Sequence, residues 1–420
     1  MTHHSAPPAT HTHQQTLHVA LAIGFGLAAG AGLHHGLSGP EHQESLNGIL
    51  GVLAVVTDIF MRLIKMIIAP LVFATLVVGM AKMGDARTVG RVGGKAILWF
   101  FSASVVSLLL GMLLVNLLAP GASMHLELPP ADAASGLEKA APSLKSFIAH
   151  IFPKSIVEAM AQNEILQIVV FSMFFGISCA QLDELAHPAV RFLDSLGHIM
   201  LKMTTYVMAF APVAVFAAIA GVIGKSGLAV LKSYGLFMGE FYLGLILLCG
   251  LLTAVGFLFL GRRVLSLLRH IREPALIAFG TATSEAAYPK LLQQLERFGC
   301  EERICGFVLP LGYSFNLDGS MMYMTFAVLF IAQAYGIHMP LPDQLLMLFV
   351  LLFTSKGVAG VPRASLVVIA ATLEMFKIPE AGLLLLLGVD QLLDMGRSAT
   401  NVIGNSMAAA VVSRWEKALR

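Results

Sequence analysis

Asp390, Asp394, Arg397, Asn401 and Asn405 recur at helical spacing in a stretch whose flanks are mostly leucine, alanine and valine. At roughly 100° per residue they fall at about 0°, 40°, 340°, 20° and 60°, a single stripe under about 90° wide. Charges in hydrocarbon are costly unless they face an interior and pair. Two carboxylates, a guanidinium and two amides on one face suit a ligand that itself carries both signs of charge. A guanidinium can also offer a planar fork to a carboxylate, which an ammonium cannot. An Asp–Arg pair that merely locks helices together is the plainer alternative, but it leaves the two amides without a role.

The elements that must position this stripe are membrane helices. Of the 420 residues, 57% are hydrophobic and 12% charged. A soluble domain usually carries about a quarter charged residues, so the composition predicts an all-α polytopic membrane protein. Spanning a bilayer takes roughly 20 apolar residues. Candidate runs are 17–37, 50–81, 96–119, 165–181, 206–223, 237–260, 307–335, 345–353, 364–376 and 382–412. The net charge of +2 gives no case for a nucleic-acid partner. Basic residues cluster at Lys82, Arg87, Arg91 and Lys95, at Arg262, Arg263, Arg269 and Arg272, and at Arg414, Lys417 and Arg420. Such clusters mark the cytoplasmic side, which places both termini inside. Residues 1–16, with four histidines and no apolar core, read as a disordered tail, with weak metal binding as the alternative. No cleavable signal peptide is recognisable, because the start lacks Lys and Arg ahead of its apolar run. Cys179, Cys249, Cys300 and Cys305 show no metal-ligand spacing and read as free thiols.

One arrangement occurs twice in the second half. "IAFGTATSEAAYPKLL" (277–292) is an apolar segment broken by small hydroxyl residues and ended by Pro289, and the long apolar helix after it is broken by "NLDGS" at 316–320. "LFTSKGVAGVPRASLVV" (352–368) is again broken, by Gly357, Gly360 and Pro362, and the helix after it carries the charged stripe. Irregular backbone at membrane depth is tolerable only where it lines a wet or ligand-filled cavity. Broken helix ends there offer N–H groups to anions and C=O groups to cations. Paired interrupted segments point to a transporter's binding site.

At these residues the chain resembles the dicarboxylate/amino acid:cation symporters, the family of glutamate and aspartate transporters. The motifs are "RLIKMIIAPLVFATLVVGMAKM" (62–83), "PLGYSFNLDGSMMY" (310–323), "LDMGRSATNVIGN" (393–405) and "VVSRWEK" (411–417), and the resemblance runs over about residues 15–415. It implies eight transmembrane segments plus two re-entrant helical hairpins, built as inverted repeats, in an elevator-type homotrimer in the cell's inner membrane. The scaffold would be 17–93 and 120–230, and the transport domain 94–119 and 231–415, with 416–420 as a cytoplasmic tail. No cofactor beyond the coupling ion is implied, and no enzyme activity.

The family's site, carried over position by position, gives Thr283 and Ser284 of the first hairpin tip and Ser320 of "NLDGS" as contacts to the substrate. Gly360, Val361, Pro362 and Ser365 of the second tip would close over it. Asp394 would hold an ammonium and Arg397 a distal carboxylate. Asn401 would bond the substrate's main-chain part, and Ser398 stands where Thr is common. Coupling would involve Glu285, Gly312, Ser314, Asn316, Asp318, Ser355, Asn401 and Asn405.

Sodium-driven relatives have Asp at the position of Asn405, Met at Leu317 and Thr near Ala103. Each replacement here removes a ligand oxygen, a charge or a thioether. The resemblance is therefore to the proton-coupled bacterial members, with a residual sodium site as the alternative and Glu285 or Asp318 as the proton-bearing carboxylate. Glu285 is shared with the dicarboxylate branch, and Arg363 follows Pro362 where small or amide residues are common. That branch has a neutral residue at the position of Asp394. The expected substrate is thus L-glutamate or L-aspartate, with a C4-dicarboxylate (succinate, fumarate or malate) as the alternative. An intramembrane aspartyl protease built on Asp318 and Asp394 lacks its glycine signature, and Arg397 one turn away would keep Asp394 ionised. A channel fits two hairpin gates less well than alternating access does.

Overall fold

The computed structural model describes residues 10–37, 39–83, 86–123, 151–227, 229–355, 364–387 and 389–420. Its long helices are α1 (Thr10–Leu37), α2 (Gln43–Met83), α3 (Ala86–Leu118), α4 (Ile165–Leu182), α5 (His187–Met208), α6 (Ala211–Ser226) and α7 (Ala229–Leu260). They continue as α8 (Arg263–Thr281), α9 (Tyr288–Phe298), α10 (Glu302–Phe315), α11 (Asp318–Ala334), α12 (Leu341–Thr354), α13 (Ala364–Met375) and α14 (Asp390–Trp415). Among the described residues six helical stretches are long and apolar enough to cross a membrane. Large apolar side chains such as Val52, Leu98, Leu117, Ile246 and Leu258 are exposed on them, which suits a surface facing lipid rather than water.

Two expectations need correction. Thr10 to Thr16, read above as part of a disordered tail, already belong to α1. The run 206–223 is not one helix either. α5 ends at Met208 and α6 starts at Ala211, with Pro212 at its first turn. A proline there is pre-set for a helix start and cannot continue the preceding one. The four cysteines are free thiols.

The core lies around α11, whose residues from Asp318 to Ala332 are all buried. A helix buried on every side must be covered by others. α3, α7, α12, α13 and α14 pack on α11, while α14 is also flanked by α8, α9 and α10. A second group joins α1 to α6 and α2 to α4, α5 and α6, with α2 also touching α10. α8 and α9 fold back on each other as a hairpin. Ala282 turns the chain with a left-handed φ of 52°, and its N–H bonds the carbonyls of Ala278 and Phe279. A buried ion pair, Lys290 Nζ to Glu273 Oε1 at 3.0 Å, ties the two arms together.

Candidate functional site

α14 brings the polar stripe together as its spacing requires. Asp390, Arg397, Asn401 and Asn405 are buried, while the Asp394 side chain keeps 33% of its surface exposed. Arg397, only 2% exposed, lies at the centre. Its Nη2 sits 3.0 Å from Asp394 Oδ1 and 3.2 Å from Asp390 Oδ1. The guanidinium also stacks over the Tyr323 ring of α11, 3.9 Å from the centroid, a cation–π geometry. The Tyr323 hydroxyl in turn donates to Asp390 Oδ1 at 3.0 Å. Arg397 Nε and Nη1 are buried and make no hydrogen bond among the described residues. A buried charged group with unspent donors is expensive unless a partner arrives. The natural partner for a guanidinium is a carboxylate.

Further along the stripe, α10 and α11 break against α14. The break runs through Asn316 and Leu317, and the Asn316 N–H closes on the Gly312 carbonyl at 2.7 Å. Asn401 Oδ1 accepts the backbone N–H of Gly319 at 2.9 Å and, more weakly, that of Ser320 at 3.4 Å. These are among the first N–H groups of α11, which have no partner within their own helix. Asn401 Nδ2 donates to Ser320 Oγ at 3.2 Å. One asparagine thereby caps the broken helix. Two glycines permit this approach: a Cβ on Gly319 would lie 2.6 Å from the Arg397 carbonyl oxygen, and one on Gly404 would overlap Asp318 Oδ2.

The amide of Asn316 then lies between two other residues expected to take part in coupling, Asp318 and Asn405. Its Nδ2 donates to Asp318 Oδ2 at 3.1 Å and to Asn405 Oδ1 at 3.2 Å. A sodium ion needs oxygens on all sides, like other hard cations. Here two of those oxygens are spent on N–H donors. Asn316 Oδ1, Asn405 Nδ2 and Ser314 Oγ are buried without a hydrogen bond among the described residues. The donor set is mixed, which fits a bare sodium ion poorly.

Other predicted positions are less central. Ser284 is buried at the hairpin tip, and its carbonyl accepts the Tyr313 hydroxyl at 3.1 Å. The Thr283 N–H is used within the turn, on the Ala278 carbonyl. Neither hydrogen-bonds the α14 stripe among the described residues. Glu285 opens a single 3₁₀ turn that packs against α2, and the opposite charge whose field reaches it is that of Lys65. Ser355 ends α12 with its hydroxyl on the Leu352 carbonyl. Ser365 lies in the first turn of α13, and Ser398 is buried on α14. Gly360, Val361, Pro362 and Arg363 lie outside the described residues. Tyr323 was missed in the sequence, although it shares a face with Ser320 at i,i+3.

Residues 16–415 match the family model described as the Sodium:dicarboxylate symporter family. The chain belongs to that family. Its members are transporters, so it is a symporter and not an enzyme. Among similar proteins is a "C4-dicarboxylate transport protein" of Laribacter hongkongensis, 42% identical over 367 residues, covering 86% of this chain and 83% of that one. Proteins of the same name from Rhizobium leguminosarum and Citrifermentans bemidjiense are 41% identical, with 86% of this chain covered and 83% and 84% of theirs. The expected amino-acid substrate therefore has less support than its alternative: these relatives are named for C4-dicarboxylates.

Proposed function

We propose that this symporter takes up a C4-dicarboxylate such as succinate or fumarate, driven by protons, through alternating access of the elevator type. The observation that carries the reading is the buried Arg397 guanidinium, with two donors unspent, in a chain whose relatives bear that substrate in their names. One carboxylate of the substrate takes those donors. The other lies toward the N-terminus of α11, whose dipole favours an anion. Proton coupling is supported by the amide nitrogen of Asn316 between Asp318 and Asn405, where sodium would require oxygen.

The same reading takes the chain as eight spans with two re-entrant hairpins, α8–α9 and α12–α13. It forms a homotrimer in the inner membrane with both termini cytoplasmic. The α1, α2 and α4–α6 group serves as scaffold, and the α3 and α7–α14 group moves.

Asp394 favours a second reading. Its carboxylate would suit the ammonium of L-aspartate or L-glutamate. Competition decides between them. With labelled succinate in proteoliposomes, unlabelled fumarate should suppress uptake at lower concentration than L-aspartate or L-glutamate. The reverse order would establish the amino-acid reading instead.

A further inference from the structure

A dianion meets an awkward site here. Asp390, Asp394 and Arg397 together carry one more negative charge than positive, and both carboxylates share the single nitrogen Nη2. The two are not equivalent. Asp390 is nearly buried, at 5% side-chain exposure, and it accepts the Tyr323 hydroxyl as well as Arg397. Asp394 has Arg397 as its ion-pair partner and is a third exposed. The charged and titratable groups around it are Asp390 and Arg397 on its own helix, Tyr323 on α11 and Tyr242 on α7. The Tyr242 hydroxyl is occupied, donating to the Leu392 carbonyl at 2.6 Å.

We infer that Asp394 carries one of the coupling protons: a substrate carboxylate on the unspent Arg397 donors sets a third negative charge beside one guanidinium, and a proton from the aqueous side settles on Asp394. The inference rests on the dicarboxylate reading above. A carboxylate brought close to a like charge in a site that dries on closure is neutralised in this way. The exposed member of the pair is the one that water can reach. Asp390 keeps its hydroxyl donor and its contact to Arg397, and so holds the guanidinium in place. The balance is simple: one proton adds to an Asp394 oxygen on loading, and it leaves when the substrate departs. An ammonium-bearing substrate would fill the same role with its own positive charge, so it would need no proton at this position.

That contrast gives the test. Calorimetric binding of succinate and of L-aspartate to the purified full-length protein, in buffers of different ionisation enthalpy, counts the protons taken up with each ligand. At about pH 7.5 both ligands have their carboxylates ionised. Succinate should take up about one proton more than L-aspartate, and its affinity should fall by up to about tenfold per pH unit. Protons bound elsewhere cancel in the difference. Asp394→Asn should remove the difference between the ligands. Equal proton counts in the unmodified protein would overturn the inference while leaving the dicarboxylate reading intact, and so would a difference that persists in Asp394→Asn. Binding of L-aspartate with none of succinate would instead remove the dicarboxylate reading, and the inference with it. Where L-aspartate does not bind, or the variant is unstable, succinate alone in the unmodified protein decides: an affinity that does not change with pH would overturn the inference.

Discussion

Around Arg397 charge is set against charge: two carboxylates, one guanidinium and a tyrosine that touches both. Two turns along the same helix, around Asn401 and Asn405, neutral amides close on broken backbone and on each other. The first cluster leaves donors unspent and one carboxylate in reach of water. The second also leaves atoms unspent, Asn316 Oδ1, Asn405 Nδ2 and Ser314 Oγ, but its groups are amides and hydroxyls whose bonds hold α10 and α11 against α14. A site that must exchange partners needs ions whose pairing is loose enough to change. A site that must hold irregular backbone at membrane depth needs bonds that stay made.

The sharpest way to break that contrast is at Arg397. Arg397→Cys should abolish uptake of acidic substrates, since losing a desolvated charge contact costs about 2–5 kcal/mol. Uptake near the unmodified level would make Arg397 structural. Almost as large an effect, but on stability rather than on substrate, is expected at Glu273. Removing one partner of a buried pair costs about 3–5 kcal/mol. Glu273→Gln should therefore lower the thermal transition of the purified protein steeply, and Glu273→Gln with Lys290→Met together should recover much of it. No recovery would mean that Lys290 has a different main partner.

The stripe on α14 was legible because charge and amide repeat at helical spacing, and the break in "NLDGS" because Asp, Gly and Ser interrupt an apolar run. The break between α5 and α6 was not. α5 is amphipathic, with Arg191, Asp194, His198 and Lys202 on it, so its start lay outside an apolar window while its end merged with the next run. The Glu273–Lys290 pair joins two arms of a hairpin, and nothing in local spacing announces it. Asp394 was read for its sign alone, as a partner for an ammonium. That Arg397 shares one nitrogen between Asp394 and Asp390 is visible only in three dimensions.

Smaller changes sharpen the comparison. Tyr323→Phe keeps the ring under Arg397 and removes one hydrogen bond to a carboxylate. That should cost about 1.5 kcal/mol, roughly tenfold in substrate affinity. An unchanged affinity would show that Asp390 needs no second donor. In the amide cluster, Asn405→Asp adds a carboxylate beside Asn316, and it should make uptake respond modestly to sodium at fixed pH. Complete indifference to sodium would show that the Asn316 amide blocks the cage whatever stands at 405. The smallest effect is expected at Glu416, beyond the end of α14. Arg91 and Lys95 hold its carboxyl below the ordinary range, through a hydrogen bond from Arg91 first. Its contribution is present above the unfolded value and is lost as pH falls through the lowered folded one. Glu416→Gln should therefore shift the thermal transition slightly at neutral pH and not at all in acid.

The central claim is that a small dianion is carried at Arg397 on protons rather than on sodium. Its most direct test is uptake of labelled succinate into proteoliposomes holding the purified protein, with the proton and sodium gradients imposed separately. An inward proton gradient in sodium-free buffer should drive accumulation, and a sodium gradient at equal pH on both sides should not. Accumulation that requires sodium and ignores the proton gradient would contradict the account.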